Sequence, residues 1–413
     1  MLFPDSALPL DKGPPTFDLT RDLGPTPDAL VDGIQPDGPR PDVGDGGGGN
    51  DTSVDAPVSP STTRTDWMSL IPNTVRTAVY ISNGDGTFTR NDYDAGPTFH
   101  SQYVWRGDFN GDGKDDWMSL VPNTRFVAVY TATSGGNFTR TVYNAGPAAW
   151  SASAVLIGDF NGDGKDDWLA HVPSTLNVAV FLSQGNATFQ RSDFDAGPSF
   201  NSGRMWRGDF DGDGKDDWMS HVTGSSSVAV YTSKGDGTFL RTVYNATNNG
   251  WHADRVWVGD WDGDGKDDWM SLVPGTLKVA VYLSTGGAQF ARTEYDAGPS
   301  WDSAAVWVGD FNGDDRIDWM SRIPGGNYIA IYTADGTGKF NRTTFNATSY
   351  HSSYVWLGDW NADGKVDWMS LIPNTSTTAV YMSQGSGLFT RTVFNPTNQW
   401  TASRTWTGDW DGQ

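Results

Sequence analysis

A tryptophan returns along this chain at a nearly fixed interval: Trp67, Trp117, Trp168, Trp218, Trp269, Trp319 and Trp368, spaced 50, 51, 50, 51, 50 and 49 residues apart. That period restricts the fold to an array of like supersecondary units, a propeller or a solenoid. Within one unit, four short segments are rich in β-branched and aromatic residues: 103–107, 116–121, 126–130 and 138–143. Gly, Pro and Asn separate them, and no helical periodicity of useful length appears, so each segment reads as a strand. Seven units of four strands predict an all-β fold, a seven-bladed β-propeller over residues 64–413. The repeat begins at Asp66-Trp67-Met68-Ser69-Leu70, a second strand, and ends at Arg404 to Asp411, a first strand with half a loop. One blade therefore takes its first strand from the C-terminal end and three from the N-terminal end, a pairing that closes the ring and removes free sheet edges.

Before each of six tryptophans stands the pattern D-x-[DN]-x-D-[GD]-x-x-D-W, beginning at Asp108, Asp159, Asp209, Asp260, Asp310 and Asp359. Oxygens at loop positions 1, 3, 5 and 9, with the backbone carbonyl of position 7, can wrap one hard cation, and Gly at position 6 permits the sharp turn. The candidate ligands are Asp108, Asn110, Asp112, Lys114 and Asp116; Asp159, Asn161, Asp163, Lys165 and Asp167; Asp209, Asp211, Asp213, Lys215 and Asp217; Asp260, Asp262, Asp264, Lys266 and Asp268; Asp310, Asn312, Asp314, Arg316 and Asp318; and Asp359, Asn361, Asp363, Lys365 and Asp367. Ca²⁺ suits them better than Mg²⁺, which demands a tighter octahedron. The loops are not EF-hands: position 12 holds Ser119, Ala170, Ser220, Ser271, Ser321 or Ser370, where an EF-hand needs a bidentate Glu, and strands flank them. The fifth loop puts Asp315 where Gly is expected. A seventh loop is split across the closure, with Asp409 and Asp411 at positions 1 and 3 and Asp66 at position 9; Gln413 occupies position 5, so this site is expected to be weak or empty.

The formal charge is −22, carried almost wholly by Asp, with Glu294 the one glutamate. Six divalent cations would bring the charge to about −10, so much of the acidity is neutralised by metal under this reading. No basic patch or stripe suggests nucleic acid. With no cysteine in the chain, disulfides and thiolate sites are excluded. No apolar run reaches the ~18–20 residues of a membrane span. Residues 1–63 are rich in Pro, Asp and Gly and too poor in apolar surface to order themselves, which predicts a disordered acidic tail or linker. The opening Met1-Leu2-Phe3-Pro4-Asp5 does not read as a signal peptide.

An aromatic precedes every loop by nine residues: Phe99, Trp150, Phe200, Trp251, Trp301, Tyr350 and Trp400. Aromatic faces stack on sugar rings, so these seven are the candidate ligand-binding residues, and a repeated shallow site suits a multivalent lectin. The same residues serve equally as packing between blades, where each would bury roughly 150–250 Å². An Arg two residues after the Phe of each fourth strand, as in Phe138-Thr139-Arg140, reads as a structural contact. His100, His171, His221, His252 and His351 form no H-E-x-x-H, and no G-x-S-x-G is present. No catalytic constellation is recognisable, and the expectation is a protein that is not an enzyme. Arg106-Gly107-Asp108 and Arg207-Gly208-Asp209 spell an adhesion tripeptide, but each Asp is committed to a loop.

The loop Gly107 to Trp117, repeated every 50 or so residues, resembles FG-GAP/VCBS-type repeats, found in integrin alpha-chain propellers, fungal seven-bladed propeller lectins and many bacterial secreted proteins. The resemblance spans about 66–413. It implies a calcium-loop propeller, metal ligation by the loop residues named above, and an extracellular or cell-surface setting. It leaves function open between glycan or cell-surface ligand binding, polysaccharide degradation by a lyase or hydrolase, and passive adhesion or scaffolding.

Overall fold

The computed structural model describes residues 63–146, 149–246, 250–397 and 400–413. The tail expected over 1–63 lies outside the described residues but for Thr63. The described residues form twenty-eight strands, numbered in chain order, in seven four-stranded antiparallel sheets and no helix. In the Trp117 blade, β4 (Val104–Gly107), β5 (Asp116–Leu120), β6 (Phe126–Ala132) and β7 (Phe138–Asn144) pair in the order β4-β5-β6-β7. The first strands of adjacent blades approach one another, so they form the inner wall of the ring. The Trp67 blade is closed as expected: β28 (Thr405–Gly408) pairs with β1 (Asp66–Leu70), with Trp67 opposite Thr407.

Burial follows strand position. The second strand is buried on both faces, hence its unbroken Asp-Trp-Met-Ser. The third carries four buried residues in succession, and the outer fourth alternates toward solvent. There is no single core; seven apolar clusters each lie between two neighbouring blades, as where Trp105, Met118 and Val127 meet Val155, Ile157 and Trp168. In every blade the second-strand Trp stacks flat on its third-strand partner, Trp117 on Tyr130 at 3.6 Å and 5°. The fourth-strand Arg lies over that partner, Arg140 5.8 Å from the Tyr130 ring, each such contact being worth about 0.5–1 kcal/mol. The Phe-x-Arg arginine is therefore a structural contact in all seven copies.

The antiparallel order sorts the connections between two ends. The metal-type loops, joining first to second strands, share one end with the turns joining third to fourth strands. At the other end lie the turns joining second to third strands and the connectors between blades.

Candidate metal centres and the connector end

Each loop winds around its first carboxylate. Asp108 Oδ1 accepts from the backbone N–H groups of Gly111 (2.7 Å) and Asp112 (3.2 Å), and Oδ2 accepts from Gly113 (2.8 Å). Gly113 sits at φ +80°, as position 6 requires. In the fifth loop Asp315 takes φ 64° there and still donates to Asp310 Oδ2 at 2.9 Å, so the Gly-less loop keeps its winding. The sixth loop has an exception of its own, Ala362 at φ 55° in place of the position-4 Gly.

The position-9 carboxylate lies at the floor. Asp116 Oδ1 accepts from Ala132 N at 2.7 Å, while Oδ2 is buried with no partner. Asp167 repeats this arrangement. Position 3 adds further buried and unpartnered oxygens: Asn161 Oδ1, Asp211 Oδ1 and Asn312 Oδ1. Buried oxygens without donors are costly, so their recurrence at ligand positions fits a cation that would complete them. Carboxylate oxygens of Asp209, Asp211 and Asp217 lie within 4.8 Å of one another, as do those of Asp260, Asp262 and Asp268. Burial, reinforced by neighbouring loop carboxylates, pushes Asp116, Asp167, Asp217 and Asp318 up to about 8 and Asp268 to about 9. The donor set is all oxygen, which suits a hard cation.

Position 5 is turned outward. Asp112 pairs with Lys114 Nζ at 2.7 Å, Asp163 with Lys165 at 2.8 Å and Asp363 with Lys365 at 3.0 Å; Asp213 pairs with Lys215, Asp264 with Lys266 and Asp314 with Arg316. The split loop assembles: Asp66, Asp409 and Asp411 converge within 4.8 Å, and Asp409 Oδ2 is buried and unpartnered. Three of its expected donors are thus in place, with Gln413 at position 5.

Position 8, which sequence reasoning passed over, joins the loops into a ring. Its backbone N–H donates to the position-1 carbonyl of the preceding blade in all seven copies, at 2.7–2.8 Å, from Asp115→Asp409 round to Thr65→Asp359. The Asp115, Asp166, Asp216 and Asp267 carboxylates return the bond by accepting from the position-1 N–H of Asp409, Asp108, Asp159 and Asp209 at 2.7–2.9 Å. Ile317 and Val366 keep only the backbone half. The paired Asp-Asp before four of the tryptophans was the available signal. The glycine before each loop is needed here: a Cβ on Gly158 would lie 2.5 Å from Arg207 Cδ and Asp216 Oδ2, and on Gly259 2.8 Å from Ile317 Cγ2.

The seven candidate ligand-binding aromatics lie between blades. Phe99, Trp251, Trp301 and Tyr350 are buried, while Trp150, Phe200 and Trp400 are half-buried. Each meets its own blade's Trp edge-on, as Trp251 meets Trp269 at 5.5 Å. The indole N–H groups of Trp251, Trp301 and Trp400 donate to the carbonyls of Ser226, Leu277 and Ser376 in the preceding blade. All five histidines fall at the connector end, where they trim turns: His171 and His221 bond the carbonyls of Thr175 and Ser225, and the Nδ1 atoms of His100, His252 and His351 each accept a backbone N–H.

The FG-GAP-like repeat profile matches residues 108–170 and 209–271, each from one loop through the second strand of the next. Those two segments carry FG-GAP-like repeats. No curated protein matches the sequence. Among solved structures, the propeller is similar to the BP39L lectin from Burkholderia pseudomallei, at 15% identity and TM-score 0.53 over 80% of this chain and 98% of that one. It is similar also to a Bacteroides uniformis protein provisionally assigned as a 6-phosphogluconolactonase, at 11% identity and TM-score 0.53 over 80% and 96%. A Photorhabdus luminescens Tc holotoxin chain matches at 14% identity and TM-score 0.46 over 78% of this chain, which spans only 16% of that longer one. At these identities the likenesses to the lectin and to the Bacteroides uniformis protein show the propeller fold alone. Among the described residues no helix is long and apolar enough to cross a membrane.

Proposed function

We propose that this protein is an extracellular, calcium-stabilised propeller that binds glycans or other cell-surface ligands and does not turn them over. The observation supporting the calcium part is the recurrence of buried, unpartnered carboxylate and amide oxygens at the ligand positions of the loops. The carboxylates at positions 1 and 9 and the carboxylate or amide oxygen at position 3 would hold the ion, joined by the position-7 carbonyl. Position 5 would join by releasing its lysine, or Arg316 in the fifth loop. Calcium there supplies charge neutralisation and a pin between a blade's first two strands, and no reaction step.

The binding part draws on where the copies differ. Five residues before the loops, the connector end presents Tyr103, Ala154, Arg204, Arg255, Ala305, Tyr354 and Arg404. Ion pairs there occur in single copies: Arg204–Asp254 at 2.7 Å joins two neighbouring blades, and Arg322–Asp302 at 2.7 Å lies within the Trp319 blade. A glycan array probed with the full chain in millimolar calcium tests this reading. It expects retention of one sugar family and loss on chelation; a blank array removes glycan binding, and turnover of an acidic polysaccharide would replace binding with catalysis.

A further inference from the structure

With the seven repeat aromatics packed between blades, the exposed aromatics gain importance. Phe126 opens the third strand of the Trp117 blade and is 38% exposed. It forms one wall of a cleft of about 640 Å³, whose other walls are Asn123, Thr124, Arg125, Asn144 and Gly146. Phe126 and Asn144 are direct cross-strand partners, so ring and amide are side by side. Asn123 is held at φ 60° by the turn, and Thr124 is spent inside it, donating to the Val121 carbonyl at 2.7 Å. Asn144 Oδ1 accepts from Gly146 N at 3.0 Å, while its amide N–H groups have no partner among the described residues. The Arg125 guanidinium makes no ion pair among the described residues, in a chain of net charge −22.

We infer that this cleft is a subsite for one hexuronate residue of an acidic glycan. A pyranose presents an apolar C–H face that the Phe126 ring can cover, its hydroxyls match the amides of Asn123 and Asn144, and its carboxylate matches the planar fork of Arg125. The volume lies in the range of small-ligand sites. Tyr328 holds the same strand position in the Trp319 blade and is 48% exposed, but Asn327 replaces the arginine and its amide is bound to the Thr348 carbonyl. That blade supplies the aromatic without the charge. The inference rests on the glycan-binding reading and assigns it a place and a sugar class.

The test is calorimetric titration of trigalacturonate, with neutral trigalactoside beside it, into the full chain in millimolar calcium. Trigalacturonate is expected to bind, and Phe126→Ala and Arg125→Gln each to weaken it on the order of tenfold or more. Tyr328→Ala should leave binding unchanged. Melting temperatures equal to the parent's exclude unfolding as the cause. Binding that survives both Phe126→Ala and Arg125→Gln overturns the assignment while glycan binding stands. A positive array with no response to trigalacturonate overturns the uronate class, and a blank array with no titration signal overturns both readings.

Discussion

At the loop end of the blades, all seven copies repeat one backbone bond from position 8 to the preceding position 1; at the connector end the side chains differ from copy to copy. The loop end is policed by its neighbours. Each position-8 residue bonds the preceding loop, and in six of the seven copies it also fills the space over the preceding glycine, so a Cβ added there meets the next blade within about 3 Å. At the connector end the buried second-strand Ser fixes the backbone alone, as Ser119 does through bonds to both N and O of His100. Side chains beyond that anchor are free to differ, and ligand-specific residues can accumulate there without disturbing the ring. The lesson is that repetition marks what holds the ring together, and divergence marks where to look for recognition.

The largest expected effect breaks the loop end outright. At a free concentration of 100 times Kd, each bound ion would stabilise by about 2.7 kcal/mol, so chelating several should lower the melting temperature steeply. The loss should depend on pH. Without metal, Asp116, Asp167, Asp217 and Asp318 titrate at about 8 in the folded chain, against 3.8 ordinarily. Across that window the folded state keeps protons the unfolded state has lost, so metal-free stability falls as pH rises. Bound calcium replaces those protons. The EDTA-induced drop in melting temperature should therefore be larger at pH 8 than at pH 5, and an equal drop would contradict this assignment.

Next in size is Trp251→Ala, which removes a buried ring and leaves the Ser226 carbonyl without its donor; urea unfolding should show a loss of about 3–5 kcal/mol. This variant is a packing test and a poor reporter of ligand binding. Smaller again is Gly259→Ala. Its Cβ would press on the β-branched Ile317, which lacks a flexible end to yield, and should cost about 1–3 kcal/mol by the same measurement. Smallest is Arg125→Gln at the connector end, expected within about 0.5 kcal/mol of the parent. A large loss there would erase the contrast between the two ends.

Much of this was legible before the structure. The 50-residue period and the split first and last units specified blade number, strand count and closure, because a propeller blade has few other ways to bury a Trp every 50 residues. The winding of the loops was legible because oxygen spacing and a left-handed position leave a local trace. The aromatics nine before the loop were ambiguous, since stacking on sugar and packing between blades call for the same residue type; only burial and the indole bonds to Ser226, Leu277 and Ser376 separate the two. The loop-to-loop ring was hidden because it joins residues 56 to 58 positions apart, as in Asp108 and Asp166, or 294 apart across the closure, and the Asp-Asp pairs at position 8 do not name their partners. Phe126 was hidden for the opposite reason: it is one residue in one copy, and reading by repeat averages it away.

The central claim is that the loops hold calcium, and its direct test is the number of ions bound per chain, by equilibrium dialysis with atomic emission. About six or more per chain are predicted, with one fewer for Asp167→Asn, which keeps a side-chain oxygen for the Ser183 N–H but removes the ligating charge. A chain that binds no calcium, or an Asp167→Asn variant that binds as many ions as the parent, would contradict it.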